Sequence, residues 1–185
     1  EYVLPGGNYD FSLLSLVEGK KIPVNLDKLP FIDRKLTRWK LYAYKNSNYS
    51  RTPGTYTMFG RDCWWGKCTF CSWTTLFPGQ SYRVMSPTRA LDEIGDILKN
   101  YPVKEIMDDS GTFPVGEWLR EFCRGMIERG YNKKIKLDCN MRFNSGLSQA
   151  DYNLMAKAGF RFLLYGLESA KQKTLSESRT AKDKS

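Results

Sequence analysis

The sequence predicts an α/β protein whose strands run parallel in one sheet or barrel. Short apolar runs of β-forming residues alternate with amphipathic helical segments between residues 55 and 166. The spacing of ~25 to 50 residues between strands leaves room for a crossover helix in each connection. A distinctive polar cluster follows each predicted strand. Because the carboxyl ends of parallel strands share one edge, these clusters should converge on one site.

The first predicted strand is the β-prone run TYTMFG, residues 55–60, which leads directly into a cysteine-rich stretch. After a long connection, Ser86 and Pro87 predict a helix start, because a capping residue followed by proline suits the first helical turn. One apolar face follows this start, formed by Leu91, Ile94, Ile97 and Leu98.

A second strand and helix follow. The run VKEIM, residues 103–107, indicates a short buried strand, and the polar run DDSGT comes directly after it. Apolar residues then recur with helical spacing over 118–127, and Gly130 stands where that helix would end. The alternating run KIKLDC, residues 134–139, predicts the third strand.

The last predicted unit is a capped helix and a strand. Ser148 and Asp151 form a capping pair, and Gly159 is placed to end the helix they begin. The run FRFLLYG, residues 160–166, is the fourth predicted strand. The order is therefore β, a long connection, and then α, β, α, β, α, β.

The predicted core spans residues 55–169, between an irregular lead-in or linker at 1–54 and a polar, charged tail at 170–185. The first residue is Glu1, and together with the polar tail it suggests a segment of a longer protein. No stretch approaches the ~20 apolar residues of a membrane span, and no signal-peptide pattern opens the chain. We therefore expect a soluble, cytoplasmic protein without a membrane partner.

The composition restricts the chemistry. The net charge of +9 would suit a nucleic-acid partner, but the lysines and arginines are scattered, which favours a solvated basic surface. The absence of histidine removes the commonest general base and zinc ligand. Five cysteines favour a reducing compartment and a metal centre over a disulfide framework. Cys123 and Cys139 lie in apolar helix and strand patterns, so we expect them in the core.

Cys63, Cys68 and Cys71 form a C-x4-C-x2-C pattern from which one loop could hold zinc or an iron–sulfur cluster. If these are the only protein ligands, one metal position stays open for a substrate or cofactor. Two other interpretations remain open: a zinc site completed by Cys139, and a two-iron cluster, because plant-type ferredoxins share this spacing. The side chains expected to pack around the centre are Trp64, Trp65 and Trp73.

Five motifs in this order resemble those of radical S-adenosylmethionine (SAM) enzymes: GRDCWWGKCTFCSW, IMDDSGTF, NMRF, LMAKAGFRFLLYGLES and QKTL. The chain is most similar to the branch that carries a cobalamin-binding domain ahead of the radical domain, and LDKLPFIDR resembles the linker of that branch. The resemblance covers roughly residues 26 to 175. It implies a partial parallel (β/α) barrel, with about four βα units in this chain.

The resemblance also implies a [4Fe–4S] cluster on Cys63, Cys68 and Cys71, whose remaining iron binds the amino and carboxylate groups of SAM. Reductive cleavage of SAM would then give a 5′-deoxyadenosyl radical that abstracts hydrogen from a substrate. Phe70 matches the aromatic position that lies against the adenine. A redox cofactor that carries the difficult chemistry makes histidine dispensable.

Other predicted SAM contacts follow the later strands. Asp109 and Ser110 are the best candidates for the SAM amino group among residues 108–112, although acids there could instead cap the next helix. Arg142 could bind the SAM carboxylate, or form a surface salt bridge. Glu168 matches the family position that faces the ribose or amino group.

The sequence departs from the family pattern in two ways. Four residues rather than the usual three separate Cys63 and Cys68, and Gly66 could relax the longer loop. The family barrel usually has six βα units, whereas this chain has about four predicted strands.

The predicted function is radical hydrogen abstraction, with cobalamin-dependent methylation as a further possibility through a domain outside this chain. The sequence does not identify the substrate, which we expect to be a small molecule or a peptide, and we expect a reducing partner such as a flavodoxin or ferredoxin. Nucleic acid is not a favoured partner. Two alternatives stay open: a zinc-stabilised nucleic-acid-binding module, and an iron–sulfur electron-transfer protein.

Overall fold

The computed structural model describes residues 25–44, 48–73 and 82–178. Short 3₁₀ turns lie at Leu26–Lys28, Trp39–Leu41 and Tyr131–Lys133. The strands and α-helices in chain order are β1 (Gly54–Thr57), β2 (Gly60–Arg61), β3 (Arg83–Val84), α1 (Pro87–Asn100), β4 (Glu105–Asp108), α2 (Glu117–Glu128), β5 (Lys136–Met141), α3 (Gln149–Ala158), β6 (Phe160–Tyr165) and α4 (Gln172–Glu177).

The main sheet has four parallel strands in the order β1, β4, β5, β6. This confirms the predicted α/β class and the predicted parallel sheet, while the barrel stays a prediction. The long connection after β1 contains a feature that the sequence did not predict: β2 and β3 form an antiparallel pair, with Gly60 opposite Val84. Strands of two residues carry no periodicity from which they could be recognised.

The helix boundaries follow the predicted capping residues. The Ser86 hydroxyl accepts a hydrogen bond from the Arg89 amide (3.1 Å) at the start of α1. Ser148 and Asp151 form a reciprocal capping box at α3, and Gly159 ends that helix at φ +102°. No helix in the described part of the chain is long and apolar enough to cross a membrane.

The apolar core lies between one face of the sheet and helices α1 to α3. It joins Ile106 of β4 and Leu137 of β5 to the buried faces of the three helices. Cys123 and Cys139 are fully buried in it, which confirms their predicted place. The lead-in also contributes to this core, with Leu26, Leu29, Trp39 and Ala43.

Candidate functional site

A cavity of about 550 Å³ lies at the edge of the sheet where the strands end. Its wall is formed by the cysteine loop, the segments that follow β4 and β6, and the end of β5 with the segment after it. The predicted polar clusters therefore meet at this cavity. Six of the eight predicted site residues line it: Cys63, Cys68, Phe70, Cys71, Arg142 and Glu168. Asp109 and Ser110 are not among the lining residues.

The cysteine loop begins with an unusual backbone conformation. Asp62 is buried and has φ +65°, and Gly66 has φ +59°, a region that glycine adopts without steric cost. The Cys71 amide donates to the Cys68 carbonyl (3.3 Å), which curls the second half of the loop. The Thr69 amide donates to the Ser178 carbonyl (3.0 Å), so the loop is also attached just after α4.

None of the three loop cysteines forms a disulfide, and their thiols are half-buried and close enough to influence one another. Burial raises the pKa of Cys68, the neighbouring Cys71 and Cys63 thiols raise it further, and the positive charge of Arg142 opposes the shift. Within residues 25–44, 48–73 and 82–178, no three acidic or cysteine side chains gather tightly enough to hold one metal ion. A four-iron cluster has a different requirement, because each thiolate binds a different iron.

Cys139 does not join the loop cysteines. It is fully buried in the core and absent from the wall of the cavity, and burial raises the pKa of its thiol. The observed arrangement therefore gives no support to a zinc site or a two-iron cluster completed by Cys139.

Arg142 stacks on two tryptophans of the cysteine loop. Its Cζ lies 3.8 Å from the centroid of the Trp65 ring and 5.4 Å from that of Trp64. The Trp64 indole in turn donates to the Phe113 carbonyl (3.1 Å). This stacking fixes a cation beside the thiols. No local sequence pattern indicates this stacking, because Arg142 and the cysteine loop are far apart along the chain.

Asp108 and Ser110 brace the entrance to the cysteine loop. Asp108 is buried and accepts hydrogen bonds from the Phe59 amide (2.9 Å) and the Ser110 amide (3.1 Å). The Ser110 hydroxyl accepts from the Gly60 amide (2.8 Å). Burial raises the pKa of Asp108 to about 6, although these hydrogen bonds oppose the rise. Both side chains thus hold the chain between β1 and the loop in place.

Asp109 accepts a hydrogen bond from the Asn140 side-chain amide (3.3 Å) and lines a smaller cavity of about 290 Å³. The alternative of a helix cap for these acids is wrong, because α2 begins at Glu117 and Gly116 precedes it without a side-chain cap. The roles of Asp109 and Ser110 in binding SAM stay predictions.

Thr112 is the polar residue in this segment that does line the large cavity. Its side chain is only 2% exposed, and its hydroxyl has no hydrogen-bond partner in the part of the chain that the structure describes. An unpartnered buried hydroxyl costs ~1–3 kcal/mol unless a ligand supplies the partner. Thr112 is therefore a candidate contact for a polar ligand in the cavity.

The opposite wall is apolar. Phe70 is 58% exposed, and Phe143, Leu164 and Leu167 are also exposed along this wall. Glu168 lies exposed at the wall, where its charge raises the pKa of Cys68 slightly. The cavity thus combines an aromatic surface with one cation and one carboxylate, which suits a ligand that has a planar ring and both kinds of charge.

Comparison with known proteins shows a partial similarity to an enzyme. The chain is 31% identical over 110 residues to the anaerobic magnesium-protoporphyrin IX monomethyl ester cyclase of Cereibacter sphaeroides. The similarity supports a radical SAM enzyme. It covers 57% of this chain and 17% of the cyclase. No protein-family model matches the chain.

Proposed function

We propose that this chain forms the cluster-binding and SAM-binding part of a radical SAM enzyme. Cys63, Cys68 and Cys71 would hold a [4Fe–4S] cluster. When bound, that cluster would supply the electron for reductive cleavage of SAM to a hydrogen-abstracting 5′-deoxyadenosyl radical. The proposal is carried by the convergence of three half-buried thiols, a stacked guanidinium and an unpartnered hydroxyl on one cavity.

The side chains around the thiols have separate parts in this proposal. Phe70 would contact the adenine ring, and Arg142 would bind the carboxylate of SAM while Trp65 holds it in position. Thr112 and Glu168 would accept hydrogen bonds from the amino group or the ribose. The cavity volume of about 550 Å³ lies within the range of ligand pockets.

Three finer points belong to the same proposal. The parallel sheet would be part of a (β/α) barrel, with the core at residues 55–169. A flavodoxin or ferredoxin would supply the electron. Cobalamin-dependent methylation is supported by the motif resemblance alone, and a cobalt-ligating imidazole could not come from this chain because it has no histidine.

The test is anaerobic reconstitution with iron and sulfide, followed by iron analysis and a dithionite assay for 5′-deoxyadenosine. We expect about four irons per chain and SAM cleavage. Cys68→Ala should lose the iron, whereas the buried Cys123→Ala should keep it. Equal iron losses in the two variants would overturn the ligand assignment.

Two further results of this experiment identify the alternatives. A colourless protein with stoichiometric zinc would indicate the nucleic-acid-binding module. A reconstituted cluster that never cleaves SAM would indicate an electron-transfer protein.

A further inference from the structure

A second large cavity, of about 510 Å³, lies at the opposite edge of the sheet, where the strands begin. Five basic residues line this basic pocket: Arg51, Lys104, Lys133, Lys134 and Lys136. Its other lining residues are a threonine and an isoleucine, so no acidic or aromatic side chain contributes. The six residues of β5 separate this edge from the cysteine cavity by roughly 17 Å, which makes the basic pocket a separate site.

Main-chain hydrogen bonds fix the three segments that carry these charges. The Lys104 amide donates to the Pro53 carbonyl (2.8 Å), and the Lys136 amide donates to the Lys104 carbonyl (3.0 Å). The Arg51 amide donates to the buried Glu105 carboxylate (2.8 Å). The backbone beneath the cations is therefore ordered before any ligand arrives, which lowers the entropic cost of binding.

The positive charge of the basic pocket is not neutralised by the part of the chain that the structure describes. None of its five cations forms an ion pair there. Other exposed or half-buried arginines do find acids: Arg124 pairs with Glu117 (3.0 Å), and Arg129 pairs with Asp92. The Glu105 carboxylate, which accepts from the Arg51 amide, is buried and already bonded to Arg161 (2.7 Å). A bound anion would relieve the repulsion among the five cations.

We propose that the basic pocket binds a short oligophosphate, the chemical class of inorganic tripolyphosphate and of the phosphate chain of a nucleotide. Four of its five cations are lysines, whose ammonium groups act as point charges and select charge density more than shape. The pocket lacks the aromatic side chains on which nucleic-acid bases stack. It is also a short, half-open concavity between three chain segments, whereas a single-stranded nucleic acid needs an extended groove.

The test measures binding of inorganic tripolyphosphate and of ATP by calorimetry at ~100 mM salt, where distant surface charges are largely screened. We expect one tripolyphosphate per chain. The triple variant Lys104→Gln, Lys134→Gln, Lys136→Gln should weaken its binding at least tenfold. The matched control substitutes three exposed lysines outside the pocket, Lys35→Gln, Lys40→Gln and Lys99→Gln, and should change the affinity less than twofold.

Several results would overturn the proposal. The first is that the two triple variants weaken tripolyphosphate binding equally, and the second is that the unsubstituted chain does not bind tripolyphosphate. The third is that the chain binds oligonucleotides with an affinity that rises with strand length. If ATP binds as tightly as tripolyphosphate, and the same three lysines are required, the natural ligand of the pocket would be the phosphate chain of a nucleotide. ATP that binds far more weakly would support a free oligophosphate. Iron content and SAM cleavage should be unchanged in the pocket variant, which separates this test from that of the proposed function.

Discussion

Single residues at the end of β4 determine how closely the cysteine loop can approach the sheet. Gly111 lines the large cavity and lies directly under Trp73. A side-chain carbon at Gly111 would collide with the Trp73 indole, and it would lie 2.9 Å from the main-chain oxygen of Asp62. Because Asp62 immediately precedes the first cysteine, any shift there moves Cys63 as well.

We therefore expect Gly111→Ala to lower the free energy of unfolding by ~1–3 kcal/mol, as overpacking does, and to reduce iron incorporation. Urea titration and iron analysis after reconstitution measure the two effects. Gly146→Ala is the control, since φ +77° makes that substitution strained while no atom lies near the added carbon. It should lose stability and keep its iron. Full iron content in Gly111→Ala would show that the loop tolerates the added carbon.

At the scale of elements, the lead-in segment is attached to the sheet and to α1 through a buried arginine. Arg34 is only 2% exposed, and its guanidinium donates to the Thr55 hydroxyl (3.2 Å) and to the Tyr56 carbonyl (3.0 Å). It also pairs with the buried Glu93 of α1 (3.3 Å). Burial lowers the pKa of Arg34, and Glu93 opposes that shift. Removing the guanidinium would leave buried acceptors without their donor.

Arg34→Ala should therefore lower the free energy of unfolding by ~1–3 kcal/mol, the cost of leaving a buried acceptor unsatisfied, since Glu93 keeps Arg89 as a partner (3.2 Å). Arg124→Ala removes an exposed pair with Glu117 and should cost less than ~1 kcal/mol. Urea unfolding of both variants gives the comparison. If both variants lose a similarly small free energy of unfolding, the attachment of the lead-in through Arg34 contributes little to the stability of the fold.

The elements predictable from the sequence are those encoded by neighbouring residues. Ser86 and Pro87 fix the start of α1, and Ser148 with Asp151 fixes that of α3, because a cap acts within one helical turn. The antiparallel pair of β2 and β3 was missed, since its pairing joins residues far apart in sequence. The stacking of Arg142 was missed for the same reason, although the convergence of the strand ends was predicted from topology alone.

Across the whole molecule, the two faces of the sheet differ in chemistry. One face packs on the apolar core, and the other carries two buried carboxylates, Glu105 and Asp138, bonded to the partly exposed Arg161. Arg161 donates to Glu105 (2.7 Å) and to Asp138 (3.2 Å), which joins β4, β5 and β6. Burial, together with the neighbouring Glu105 carboxylate, raises the pKa of Asp138 to about 8. The pKa of Glu105 is lowered instead, because its hydrogen bonds outweigh its burial.

This arrangement determines how stability should change with pH. Folded Asp138 keeps its proton up to about pH 8, whereas in the unfolded chain it loses that proton near its ordinary pKa of 3.8. The folded state therefore binds more protons between these values, and its stability falls as pH rises through that window. Asp108 acts in the same direction, but only up to its pKa of about 6. Above pH 6.5 the decline should therefore come mainly from Asp138, and the buried cysteine thiols, which ionise in the unfolded chain near pH 9.0, add to it only towards the upper end of the interval.

Between pH 6.5 and 8.5, the free energy of unfolding should fall by ~1–3 kcal/mol, since one pKa unit corresponds to ~1.4 kcal/mol. Asp138→Asn keeps a neutral side chain that can donate to Glu105, so it should remove this decline. Asp108→Asn should retain the decline, because Asp108 is already ionised above pH 6.5. Urea titrations at several pH values measure all three proteins. If the free energy of unfolding falls equally with pH in the unsubstituted chain and in Asp138→Asn, Asp138 is ionised in the folded protein. In that case the positive charge of Arg161, and not a proton on Asp138, would offset the repulsion from Glu105.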